Sequence, residues 1–317
     1  MWRCIGVHCA LPRMPNGKSL AYSVEDLSIP ANVAAYLADV ITECGCEGGP
    51  LVSLVLFGST VTGGYSSTVS DVDLLLVLDE HANAALRHRV GDQVAAIETR
   101  HGLAKSHPPQ SSPLFSLLEV FAERLTANVR ASFVCTRADL LSGEPGRILA
   151  VPTTQALFID RVTPASIVAS GRTVWGERLL DRVPLLPIRR LDVAKAFFGL
   201  FNQVLLSAGI YPLLPSATKY AMGALKGSVH HCYFCYHTRP APLVAEVMFL
   251  QSRGRPIQAL TQLLTLRREY RPSLVFILAC LPALARLHLR TALELQFPRP
   301  SRPIATNIVP ERPCGDA

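Results

Sequence analysis

The sequence predicts an α/β or α+β domain followed by an all-α domain. Three observations carry that expectation. Two apolar runs of strand length, Leu51–Phe57 and 72–78, alternate with helix-like stretches in the first half. Beyond residue 188 the apolar periodicity is helical throughout and is broken only by Pro and Gly. The chain of 317 residues is long enough for two domains, each burying its own core.

The elements follow in order. Residues 1–24 mix Cys, Pro, Gly and single apolar residues without a period, which suits a loose extension. Over 28–43, Val33, Tyr36, Leu37, Val40 and Ile41 recur at helical spacing, with Pro30 where a first-turn proline is tolerated. Residues 44–50 form a Gly-rich break before the two strands. Helices are expected over 83–100 and 114–127, a loop over 108–113 and a strand over 130–136. Strands interleaved with helices place one α/β or α+β domain over 25–183. The segment 183–187, VPLLP, reads as the linker. Helices expected over 189–208, 216–232, 242–251, 256–270 and 272–297 make an all-α domain over 188–297. The Pro-rich tail 298–317 is expected to be unstructured.

Composition narrows the function classes. Hydrophobic residues make up 49% and charged residues 17%, a globular rather than a disordered balance. The net charge of +7 is unevenly spread: from Arg182 onward there are 17 Lys or Arg against 6 Asp or Glu, whereas 1–181 hold 14 against 18. A basic half beside a mildly acidic one suits an anionic partner such as a nucleotide, and equally a solvated Arg-rich surface. Nine scattered cysteines fit a reduced protein better than a disulfide framework. The first residues have too short an apolar stretch for a secretory signal, and the apolar run 273–285 is shorter than a span and contains Pro282. These features lead to the expectation of a cytoplasmic protein with no membrane partner.

The chemistry concentrates in FGSTVTGGYSSTVSDVDLLLVL, residues 57–78. In a strand, alternate side chains share a face, so Asp71 and Asp73 project to one side about 7 Å apart. Val72, Leu74 and Leu76 then point to the other side, toward a core. Two adjacent carboxylates repel unless a cation lies between them, and an oxygen-only pair suits Mg²⁺. Gly58 lets the backbone approach a ligand, and the helix after it would offer N–H groups and the Ser59 hydroxyl to phosphate oxygens. Eleven residues separate Ser59 from Asp71, room for one short helix and a return strand.

On these residues the stretch resembles the signature of the DNA polymerase β-like nucleotidyltransferase superfamily: hydrophobic, Gly, Ser, a spacer, then Asp, hydrophobic, Asp, hydrophobic. The matching positions are Phe57, Gly58, Ser59, Asp71, Val72, Asp73 and Leu74, with Gly63 and Ser70 also where many members have Gly and Ser. The resemblance implies a nucleotidyltransferase-fold domain with a mixed sheet, followed by a helical domain. It implies that Gly58 and Ser59 hold a nucleoside triphosphate and that Asp71 and Asp73 bind Mg²⁺ or Mn²⁺. An acceptor would attack the α-phosphorus and pyrophosphate would leave. Members usually add a third carboxylate from a later strand. The natural strand, 130–141, carries no acid at its inward positions, which leaves Glu119 or Asp139 as candidates.

The reading is therefore an NTP-dependent nucleotidyltransferase, with ATP as the first choice and a hydroxyl of a small molecule or protein as acceptor. Without a third carboxylate the same fold would be a catalytically inactive nucleotide-binding or interaction protein, or a partner of toxin–antitoxin type. Lys219 and Lys226, seven apart on one helical face, and the cluster Arg267, Arg268 and Arg271 are further candidates for contact with phosphate, or else solvated surface. Aromatics are 7% and do not interleave with basic clusters, so no base-stacking surface is visible and RNA is disfavoured as acceptor. Cys232 and Cys235 form a CxxC without a second pair, and on a helix they share a face with Val229 and Tyr236 as core residues do.

Overall fold

In the computed structural model, described over residues 29–45, 49–63, 65, 71–103, 132–151 and 159–295, the two apolar runs become adjacent antiparallel strands. The chain order is α1 (Ala31–Cys44), β1 (Leu51–Phe57), α2 (Ser59–Thr62), β2 (Asp73–Leu78), α3 (Ala84–Arg100), β3 (Ser132–Thr136), α4 (Arg137–Leu141), α5 (Pro145–Ile148), α6 (Val162–Ser170) and β4 (Arg172–Gly176). The strands form one sheet in the order β3-β2-β1-β4. β3 runs parallel to β2, and β1 is antiparallel to both β2 and β4, so the sheet is mixed as expected. The expected helix over 114–127 lies outside the described residues.

The position of β2 in the sheet explains its unbroken apolar sequence. A strand covered on both faces has no solvent side to place polar residues on. Leu74, Leu76 and Leu78 pack with Tyr36 and Leu37 of α1 and Val94 of α3. Leu75 and Val77 turn the other way, against Leu140, Ile148 and Ile167 of α4, α5 and α6. Leu76 is fully buried. Leu76→Ala is expected to cost about 2–5 kcal/mol, read as a lower urea midpoint by circular dichroism.

Five longer helices follow: α7 (Arg190–Ile210), α8 (Thr218–His237), α9 (Leu243–Ser252), α10 (Gln258–Arg268) and α11 (Leu274–Glu294). Val204, Ala221, Leu225, Leu260, Ile277 and Leu284 are part of their common core. α8 runs five residues beyond the expected end at 232 and takes in Cys235 and His237. By length and composition α7 and α11 could each cross a bilayer. They contribute Val204 and Leu284 to the shared core, and leave Phe198, Val275, Leu289 and Leu293 exposed outside it. The helical half meets the sheet half where Phe234 of α8 packs on Val162 and Ala165 of α6. Arg161 donates to the Pro187 carbonyl at 2.9 Å across the same junction.

Candidate active site

The turn after β1 is built around one steric fact. Phe57 pairs across the ladder with Asp73, and Gly58 follows with φ 69° and ψ −150°, a conformation that L side chains rarely adopt. A Cβ on Gly58 would overlap Asp73 Oδ2 and stand 2.9 Å from its Cγ. Glycine thus leaves the volume that the Asp73 carboxylate fills. The Gly58 carbonyl accepts from Val61 N at 3.2 Å and Thr62 N at 3.1 Å, and so starts α2. This helix is a single turn, ended by Gly63 in the left-handed region. Ser59 is 7% exposed, and its Oγ has no hydrogen-bond partner among the described residues. A buried hydroxyl left in that state costs about 1–3 kcal/mol, and its proton is a donor for an incoming oxygen.

Asp71 precedes β2, Asp73 opens it, and Val72 between them is buried in the layer of α1 and α3. The expected alternation is therefore present: Val72, Leu74 and Leu76 enter one layer, and Asp73 shares the opposite face with Leu75 and Val77. That opposite face is itself covered further along, so the acids occupy the end of the sheet rather than an open face. The Asp71 charge acts on two other groups. Burial pushes the Tyr65 phenol up and Asp71 pushes it further, against a hydrogen bond with Asn32. Burial pulls the Arg267 guanidinium down, and Asp71 opposes that shift. Arg267 lies in the last turn of α10, so a cation of the helical half is within electrostatic reach of Asp71.

The structure separates Asp139 from this pair. In the parallel ladder Leu74 lies opposite Ser132 and Leu78 opposite Thr136. Asp139 follows Thr136, at the other end of β2 from Asp73 and about 17 Å along the strand. There it closes a capping box with Thr136 and accepts from Arg87 Nη1 at 3.2 Å and Arg147 Nε at 3.0 Å. Burial alone would push its carboxyl up, but the Thr136 donors and Arg147 outweigh burial and hold it below the usual carboxylate range. Asp139 is thus a structural anchor, and its candidacy as third carboxylate is corrected by the strand register. Asp139→Asn is expected to cost about 1–3 kcal/mol in thermal unfolding, with nucleotidyl transfer kept within about twofold of wild type. Glu119 lies outside the described residues. On β3, Ser132 shares the face of Leu74 and points away from Asp73, and Phe133 on the other face stacks on Phe57 at 6.2 Å.

Lys219, near the start of α8, is exposed, with its ammonium 5.2 Å from the centre of the Tyr270 ring. Cys232 sits in the helical core, and Cys235 packs at the junction with α6. Burial pushes the Cys232 thiol up to about 12 and Cys235 well above its ordinary value, as for thiols kept protonated in an apolar core.

Residues 39–121, which include the Gly58-Ser59 turn and both aspartates, match the family described as nucleotidyltransferase domain. Among curated proteins no sequence matches this chain significantly. Among solved structures the chain is similar to spectinomycin adenyltransferase from Enterococcus faecialis, crystallised with ATP and spectinomycin, at 12% identity and a TM-score of 0.43, over 85% of this chain and 99% of that one. At that identity and score the likeness says nothing of this chain's substrate. The glycine that makes room for Asp73 and the serine beside it lie inside the matched stretch, so residues 39–121 are a nucleotidyltransferase domain.

Proposed function

We propose that the protein transfers a nucleoside monophosphate from an NTP, ATP first, to a hydroxyl on a small molecule or protein. The observation that carries this reading is the interlock of Gly58 with Asp73 beside the unpartnered Ser59 hydroxyl. The donor set fits a hard divalent cation: two carboxylates one residue apart, all oxygen, at a strand end. Asp71 and Asp73 would hold Mg²⁺ or Mn²⁺. Bound there, the ion neutralises phosphate charge and favours attack at the α-phosphorus.

The chain's own groups do the rest. The Ser59 hydroxyl donates to a phosphate oxygen, since no protein acceptor among the described residues competes for it. Gly58, lacking a side chain, lets the backbone come close to the triphosphate. Arg267 brings a guanidinium, suited to paired phosphate oxygens, from the helical half. Lys219 extends the same basic rim through its contact with Tyr270, three residues beyond Arg267. The acceptor hydroxyl then lies between the sheet end and the helical half.

A second reading, nucleotide binding without transfer, is favoured by one observation: β3 places Phe133, not an acid, on the aspartates' face. One experiment separates the two. The protein is incubated with α-³²P-labelled NTPs, Mg²⁺ or Mn²⁺ and a cell extract, beside the double variant Asp71→Asn/Asp73→Asn. Transfer is expected from wild type and a loss of at least about 10²–10³-fold in the variant. Label transfer that survives the double substitution overturns the metal assignment. Nucleotide binding with no transfer to any acceptor establishes the second reading.

A further inference from the structure

The two halves of the molecule also meet at a buried polar joint far along α8 from its first turn. His231 Nε2 lies 3.1 Å from Asp160 Oδ1 and 3.1 Å from Thr163 Oγ1, and His231 Nδ1 lies 2.9 Å from the Gly227 carbonyl. Acceptors face both ring nitrogens, the arrangement of an imidazolium. Asp160 also accepts from Thr163 N at 2.9 Å, which ties it to the start of α6. The Asp160 and His231 side chains are only 14% and 17% exposed. Phe234, one turn further on, packs on Val162 and Ala165 of α6.

The same helix starts at Thr218 and Lys219, about 18 Å before His231. Its first turn is tied to the basic end of the helical half. Thr218 Oγ1 accepts from Ser273 N at 3.0 Å, and Lys219 stands over Tyr270. Arg267, whose guanidinium feels the Asp71 charge, precedes Tyr270 by three residues. α8 therefore runs from the joint with α6 to Lys219 and its contact with Tyr270, three residues beyond the Arg267 that feels the Asp71 charge.

We propose that Asp160 and His231 are positioning residues, whose ion pair pins α8 to the sheet half and so holds Arg267 and Lys219 where the triphosphate binds. This role rests on the nucleotidyltransferase reading. Around the pair, the other titratable groups are held uncharged or already engaged. His230 pairs with Glu246 and is pushed down by burial. His288 donates from Nδ1 to the Val193 carbonyl at 3.1 Å and is pushed down to about 4 by burial and by His231. Burial pushes Cys232 and Cys235 up, and Asp192 accepts from Arg189 N at 2.7 Å. Asp160 is the carboxylate that faces His231.

Burial alone would push His231 down, but the Asp160 charge and the Gly227 carbonyl outweigh it and raise its pKa. Burial would raise Asp160, yet His231 and the first N–H groups of α6 hold it down to about 2. A raised histidine contributes fully below its ordinary value of about 6.5 and loses that contribution as pH rises through its folded value. A depressed aspartate contributes above about 3.9 and loses its part only as pH falls toward 2. The pin is at full strength between these limits and loosens on the alkaline side.

The test is calorimetric titration of the full chain with the α,β-methylene analogue of ATP and Mg²⁺, from pH about 7 to about 9. Wild-type affinity is expected to fall roughly tenfold over that range. His231→Gln and Asp160→Asn should each bind about tenfold more weakly at pH 7 with a flat pH profile, and the double variant no worse than either single one. Turnover measured with saturating NTP should stay within about threefold of wild type, because the pair positions and does not touch the reacting atoms. Folded variants with wild-type affinity and pH profile overturn the proposal. Should a variant not fold, the wild-type profile decides: affinity that stays flat overturns it. Hydrogen exchange in 160–167 and 227–235 is read on the same samples without nucleotide, and exchange at pH 9 faster than the intrinsic base-catalysed rise explains is expected. Absence of any nucleotide binding by wild type overturns the functional reading and this role with it. Faster exchange at the joint together with unchanged nucleotide affinity overturns the positioning role alone.

Discussion

Asp73→Asn is expected to lower nucleotidyl transfer by about 10²–10³-fold with the thermal midpoint almost unchanged. The substitution keeps the shape that fills the space above Gly58 and keeps the backbone pairing with Phe57, so the strand end retains its packing. What it removes is the charge. An amide oxygen is a weaker ligand for a hard cation than a carboxylate oxygen, and the field that complements cation and triphosphate falls with it. Initial rates at several Mg²⁺ concentrations check this, and the variant should need far more metal to reach half its own maximum. A variant with wild-type rate and metal dependence would remove Asp73 from the site.

Gly58→Ala should damage both stability and transfer. The backbone at φ 69° and ψ −150° costs a non-glycine residue about 1–3 kcal/mol, and the added Cβ overlaps the Asp73 carboxylate as well. To relieve the overlap Asp73 must turn or β2 must shift, and either displaces the carboxylate proposed to hold the metal. A loss of at least about 10²-fold in transfer is expected, since a displacement of about 1 Å is enough for that, together with a lower unfolding midpoint. The double variant Gly58→Ala/Asp73→Ala separates the causes. With the carboxylate gone the overlap is gone, so its unfolding midpoint should lie above that of Gly58→Ala alone, a non-additive pair. If the double variant is as unstable as the sum of the singles, the interlock is not what makes glycine necessary.

The parts legible in the sequence are those where local pattern and tertiary surroundings agree. β1, apart from the buried Ser53, and β2 after Asp73 are apolar runs because both faces of the sheet are covered, and each run ends at a polar or glycine residue. The helices of the second half match to within a few residues because apolar periodicity and Pro or Gly breaks mark them independently of partners. β4 escaped notice. It has five residues, lies at the sheet edge and begins with exposed Arg172, so no alternation long enough to read develops between Gly171 and Gly176. Its signal was the run Thr173, Val174, Trp175 between glycines, which suits an edge strand.

The site divides in the same way. Gly58, Ser59, Asp71 and Asp73 could be picked out from sequence because they act through near neighbours in one hairpin-like unit. The backbone restriction at glycine and the two-residue period of a strand are local properties. Asp139 misled because its distance along the chain says nothing of which end of the sheet it joins; the parallel register of β3 on β2 sends it to the far end, into a pair of arginines. Arg267 was one of several basic residues until α10 packed with its last turn within electrostatic reach of Asp71. The joint of Asp160 with His231 spans 71 residues, and nothing local in either segment announces it. Local pattern was enough to place β1, β2 and the helices of the second half, and to pick out the Gly58-Ser59 turn with its two aspartates, because these depend on short-range sterics and burial periodicity. Which distant charges meet follows from the packed fold instead, because ion pairs form wherever packing brings opposite charges out of water, and packing is a property of the whole chain.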